Sequence, residues 1–141
     1  WLAGGTPVPG ATDRTWKVPA GAAGSRVAVR VSTVKPGLRT GVATSAQTPV
    51  VTTQPALRLT GKASGGGAVL LTLKVTAAGL RSVGGKVSFL RGRKVLETVP
   101  VVKGSATVRL TRQPSGASTY VAKYLGWGPV LPASRSVRVA P

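Results

Sequence analysis

Cysteine, methionine and histidine are absent from this 141-residue chain, and Asp13 and Glu97 are its only acids against twenty lysines and arginines. Without cysteine there is no disulfide framework to report a compartment, and no thiolate to hold a metal or attack a carbonyl. Without histidine the commonest proton-transfer group is missing. Two carboxylates far apart in sequence offer neither the pair that acid–base hydrolysis needs nor the oxygen cage that a cation needs. No Gly-x-Ser-x-Gly elbow occurs. The glycine run Ser64-Gly65-Gly66-Gly67 lacks the Gly-Lys-Ser/Thr ending of a phosphate loop, so it is expected to be a flexible strand connection. The chain is therefore expected to be no enzyme and to carry no cofactor or metal.

Aromatic residues make up only 4% of the chain. No apolar run approaches the roughly 18 residues of a membrane span, and no charged-then-apolar signal segment opens the sequence. A chain that starts at Trp1 and has no methionine is expected to be a processed piece of something longer, with any export signal upstream. The formal net charge is +18, and the sequence pI is near 12.0. Such a surface repels itself, so it either tolerates that cost for solubility or meets a polyanion. The candidates are nucleic acid, an anionic wall polymer, an acidic glycan and an anionic lipid surface. Nucleic acid is the poorest match, because no groove-reading helix, zinc ligand set or aromatic-rich strand motif accompanies the charge.

What is present is a β pattern. Hydrophobic residues reach 42%, and Gly 19 and Pro 11 supply many turns. Alternation of period two recurs in Arg26-Val27-Ala28-Val29-Arg30-Val31, where three valines are expected on one face and two arginines on the other. It returns in Leu57-Arg58-Leu59, Val69 to Val75, Val87-Ser88-Phe89, Ala106 to Leu110 and Val137-Arg138-Val139. Turn formers separate these runs at Lys35-Pro36-Gly37, Gly84-Gly85, Arg91-Gly92-Arg93, Lys103-Gly104 and Pro114-Ser115-Gly116. The spacing predicts an all-β sandwich or barrel. The uncharged, proline- and threonine-bearing stretch from Ala46 to Pro55 is expected to hold a domain boundary near Thr52, dividing the chain into 1–52 and 53–141.

Trp1, Gly5, Val8-Pro9-Gly10-Ala11-Thr12, Thr15-Trp16, Gly24, the Val27–Val31 run and Lys35-Pro36-Gly37 together resemble an Ig-like repeat of exported actinobacterial proteins. In that repeat a tryptophan strand leads into a G-x-x-I-x-G-A-T-x-x-T-Y hairpin. The resemblance covers residues 1 to about 51, with Trp16 in place of a tyrosine and Ala22 in place of an aspartate. It implies that this module lacks two or three N-terminal strands, which a neighbouring segment or a partner chain would supply. Residues 53–141 resemble a complete bacterial Ig-like repeat through Gly85-Lys86-Val87-Ser88-Phe89, Leu96 to Val101, Gly104 to Val108 and Tyr120-Val121-Ala122-Lys123-Tyr124-Leu125-Gly126. That resemblance implies Tyr120, Ala122 and Tyr124 in the core sheet, Trp1 in a core, and a secreted or wall-associated location.

Two basic groups are candidate anion sites. Arg81, Lys86, Arg91, Arg93 and Lys94 form one, with Arg91-Gly92-Arg93-Lys94 at an expected hairpin tip where guanidinium groups converge on an anion, and Arg26 and Arg30, with Lys35 and Arg39, lie along and after one strand. Trp127, in Leu125-Gly126-Trp127-Gly128-Pro129, reads as a loop aromatic that either contacts a ligand or partner or caps the sandwich. The function expected from all this is a non-catalytic spacer or adhesion segment that binds anionic wall polymer. The competing expectation is an assembly subunit whose first module is completed by strand addition from a partner.

Overall fold

The computed structural model describes residues 1–140. The chain divides into two compact units, Trp1–Thr52 and Thr53–Pro141.

In the first unit β1 (Leu2–Ala3) turns through Gly4 and Gly5 into β2 (Thr6–Pro7). Both glycines have positive φ, 59° and 83°, which L side chains rarely adopt. Strand β3 (Val27–Ala28) pairs on the other side of β1, giving the order β2-β1-β3. A single 3-10 turn occupies Ala20–Ala22. Strands β4 (Arg30–Thr33) and β5 (Gly41–Thr44) form a separate two-stranded ribbon with Thr33 opposite Gly41. Only Leu2, Ala22, Val27 and Ala28 are buried in this unit.

The expected single alternating strand from Arg26 to Val31 is not formed. Val27 and Ala28, neighbours in sequence, are both buried, and Val31 is 55% exposed. The chain leaves the sheet at Val29, whose N–H donates to the Ser45 hydroxyl at 3.0 Å and whose carbonyl accepts from the Ser45 N–H at 2.9 Å. Hydroxyl-bearing residues offer the backbone this alternative to a ladder. Thr48 does the same, donating its N–H to the Val27 carbonyl at 2.8 Å and accepting from the Val27 N–H on its hydroxyl at 3.0 Å. The proline- and threonine-bearing stretch is thus bonded as far as Val51, which exchanges hydrogen bonds with Gly24 and Ser25.

The second unit is a sandwich of seven antiparallel strands: β6 (Pro55–Ala63), β7 (Val69–Ala77), β8 (Lys86–Arg91), β9 (Lys94–Pro100), β10 (Ser105–Leu110), β11 (Ser118–Tyr124) and β12 (Ala133–Val139). One sheet has the order β10-β7-β6 and the other β12-β11-β8-β9. The first, second and fifth strands thus face the third, fourth, sixth and seventh, the immunoglobulin-like arrangement with its fourth strand on the larger sheet. Strand β7 shows the cause most plainly: Val69, Leu71, Leu73, Val75 and Ala77 are buried, and the residues between them point outward. Phe89, Tyr120, Ala122 and Tyr124 fill the facing sheet, all fully buried. Gly61 allows the close approach of layers, because a Cβ there would overlap the Val139 side chain. Tyr120, near the start of β11, donates its hydroxyl to Gln113 Oε1 at 3.1 Å, tying down the preceding connection as Ig sandwiches commonly do.

Candidate anion-binding surface

Arg81, Lys86, Arg91, Arg93 and Lys94 are not gathered at one place. Lys86 and Arg91 begin and end β8, so their backbones lie about 17 Å apart at strand rise. Gly92 and Arg93 make the two-residue turn into β9, and Arg91 pairs directly with Lys94. The Arg91 guanidinium is half-buried and donates from Nη1 to Gln113 Oε1 at 3.0 Å, so it braces the tip. Arg93 and Lys94 remain exposed. The hairpin is there, but one of its three cations already serves the fold.

Arg81 belongs elsewhere. It follows β7 and lines a cleft of about 380 Å³ together with Lys74, Lys103 and the serines at 82 and 105. Lys103 holds a positive φ of 49°, unusual for a residue with a side chain. The turn is pinned there by the Gly104 N–H donating to the Val83 carbonyl at 2.9 Å.

In the first unit Arg26 and Arg30 do not share one outward strand face, because the strand breaks between them. Arg26 donates from Nη1 to the Thr48 carbonyl at 3.2 Å. Arg30 lines a cleft of about 590 Å³ whose walls include Trp1, Asp13 and Arg14, so one of the two acids shares it. Trp1 is half-buried, with its ring centroid 6.2 Å from that of Trp16 and its Nε1 donating to the Asp13 carbonyl at 3.0 Å. One Ser-x-x-Lys spacing exists, at Ser32 and Lys35. Every residue from Arg30 to Ser45 is exposed, so nothing excludes water from it.

Trp127 is 49% exposed. Its ring lies over the backbone of Gly84, where a Cβ would stand 3.2 Å from Cε2. The indole therefore covers the glycine pair that precedes β8, and its backbone closes a tight turn with Val130.

A further cationic pair is formed only by strand register. Arg58 on β6 and Lys74 on β7 are exact cross-strand partners, both exposed. With Thr60 and Thr72 they line a cleft of about 270 Å³. Alternation marks both as outward residues, but only the register puts them opposite each other. Among the described residues no group of three His, Cys, Asp or Glu could hold a metal, and no helix is long and apolar enough to cross a membrane. The chemistry these surfaces offer is multivalent attraction of anions by guanidinium and ammonium groups, aided by hydroxyls.

No curated protein and no solved structure matches the chain. The bacterial Ig-like domain (group 3) family matches residues 43–140, a span that takes in all seven sandwich strands and starts within β5. With the sandwich topology and that match over more than half its length, the chain belongs to the bacterial Ig-like domain (group 3) family.

Proposed function

We propose that the protein is a non-catalytic, secreted or wall-associated segment of two Ig-like modules, 1–52 and 53–141, that spaces neighbouring domains and adheres to anionic cell-wall polymer. The observation that carries this is a formal charge of +18 on the chain, with cations such as Arg58, Lys74 and Arg109 at outward strand positions of the sandwich. Membership of a bacterial Ig-like family supports a binding or spacing role, since such sandwiches present surfaces and loops. The test is co-sedimentation of the whole chain with purified bacterial walls before and after extraction of their anionic polymers. Retention by intact walls, release by salt and loss on extraction are expected. Equal retention by extracted walls would overturn the adhesion reading.

A second reading has its own support. Ribbon β4–β5 is exposed on every residue, with Val31, Val34, Leu38 and Val42 each more than half exposed, and a two-stranded ribbon is marginal alone. Strand addition by a partner chain would cover it and complete the first module. Light scattering over a concentration series tests this: a constant monomer mass, with no change on adding candidate partners, rejects assembly.

A further inference from the structure

We infer that the outward face of the β10-β7-β6 sheet is a binding site for a phosphodiester-linked polyol polymer, seated on the Arg58–Lys74 pair. The inference rests on the wall-polymer reading above and gives it an address. Direct cross-strand partners have Cβ atoms about 5 Å apart, and like charges in that relation are destabilising. Among the described residues neither side chain makes a hydrogen bond, in contrast to Arg91, which faces Lys94 but is held by Gln113. Of the two acids, Glu97 lies on β9 in the other sheet and Asp13 belongs to the first unit. Nothing on this sheet offsets the repulsion, and an anion bridging both groups would.

The geometry extends beyond one anion. Lys74 lines both the cleft with Arg58, Thr60 and Thr72 and the cleft with Arg81 and Lys103. The two clefts therefore share Lys74 as a lining residue, which places Arg58, Arg81 and Lys103 around one ammonium group. Hydroxyls run across the same face: Thr60 Oγ1 donates to the Thr72 carbonyl at 3.3 Å, and the Thr72 and Thr107 hydroxyls lie 3.1 Å apart. Strands β6, β7 and β10 contain no aromatic residue, so the face gives bases nothing to stack on. A chain of polyol phosphates, with hydroxyls and no bases, fits these features better than a nucleic acid does.

The experiment is fluorescence anisotropy of a labelled glycerol-phosphate oligomer titrated with the full chain across a salt series. The variant Arg58→Ser/Lys74→Ser is compared with Lys123→Ser/Arg138→Ser, which removes equal charge from the outward face of the other sheet. The first is expected to weaken binding at least about tenfold and to lower the slope of log K against log salt by about 1.4, at roughly 0.7 per lost phosphate contact. The second should change affinity less than about threefold, as a diffuse charge effect. The exchange Arg58→Lys/Lys74→Arg keeps both charges and must keep binding, which separates lost recognition from lost folding. Equal weakening by both serine variants would overturn the site while leaving the wall-polymer reading intact. Failure of the wild-type chain to bind the oligomer at any salt would overturn the polyol-phosphate site, and the wall-polymer reading would then fall only if extracted walls also retain the chain equally. Tighter binding of an oligothymidylate, sensitive to the same serine pair, would make nucleic acid the occupant and overturn the polymer class.

Discussion

The Tyr124 hydroxyl donates to the Gly84 carbonyl at 3.0 Å, joining the end of β11 to the glycine pair that leads into β8. Tyr124 is fully buried in the core. Burial holds its phenol above the ordinary value of 10.0, because the ionised form is poorly solvated there. A raised folded pKa means that the stability from the neutral phenol is whole below pH 10 and declines as pH rises through the raised value. Tyr124→Phe is expected to cost about 1 kcal/mol at pH 7, the net worth of one hydrogen bond. The gap between variant and wild type should narrow above pH 10. Urea titrations at pH 7 and pH 11 measure both effects.

Gly61→Val should destabilise the sandwich by about 1–3 kcal/mol through overpacking. A Cβ at 61 would overlap Val139 and come within 3.0 Å of Leu71 Cδ2. In a Gly61→Ala background, Val139→Ala is expected to recover part of the loss, since the two sites are in contact and their effects are not additive. Chemical denaturation of the four-member cycle reads the coupling.

Gln113 Oε1 accepts from both Arg91 Nη1 and the Tyr120 hydroxyl, and its Nε2 donates to the Thr111 carbonyl at 2.9 Å. Gln113→Ala strands a hydroxyl on a fully buried tyrosine and is expected to cost about 1–3 kcal/mol. Gln113→Glu keeps the acceptor and adds an opposite charge beside Arg91. It should match or exceed wild-type stability at pH 7 and lose that advantage as pH falls toward 4 and the carboxylate protonates. Thermal melts at the two pH values decide it.

The fragment 53–141 is expected to fold cooperatively on its own, because the contiguous core runs from Leu59 to Val139. Extending it to residue 43, where the family match begins, should add little stability. The backbone N–H groups of Ser45, Thr48 and Val51 donate to Val29, Val27 and Ser25, which such a fragment lacks. Circular dichroism melts of the two fragments test this. A large gain from 43–52 would move the module boundary into the first unit.

Strand content in the second unit was legible because each half-buried strand carries its own evidence. Val69 to Val75 and Ala106 to Leu110 alternate with period two, and both strands formed with the expected face inward. Arg26 to Val31 has the same alternation and did not form one strand. There the outcome rested on Ser45 and Thr48, some sixteen to twenty-one residues away, whose hydroxyls take backbone groups that a ladder would use. Period two reports what a segment tolerates on two faces, and it does not report whether a second sheet arrives to bury one of them.

The candidate sites show the same division. The Arg91–Lys94 tip was visible, since Arg91-Gly92-Arg93 is a local turn word, but the engagement of Arg91 by Gln113 was not. Arg58 and Lys74 were legible separately as outward cations and became a pair only through the β6–β7 register.

The sequence by itself determined the all-β class, the inward set of the sandwich, its turns and the charge of its surface. Each of these follows from residue type and short-range spacing. Only the tertiary structure decided which cations face one another, because register is set by the packing of whole sheets, and a shift of a single residue would turn Arg58 or Lys74 to the opposite face.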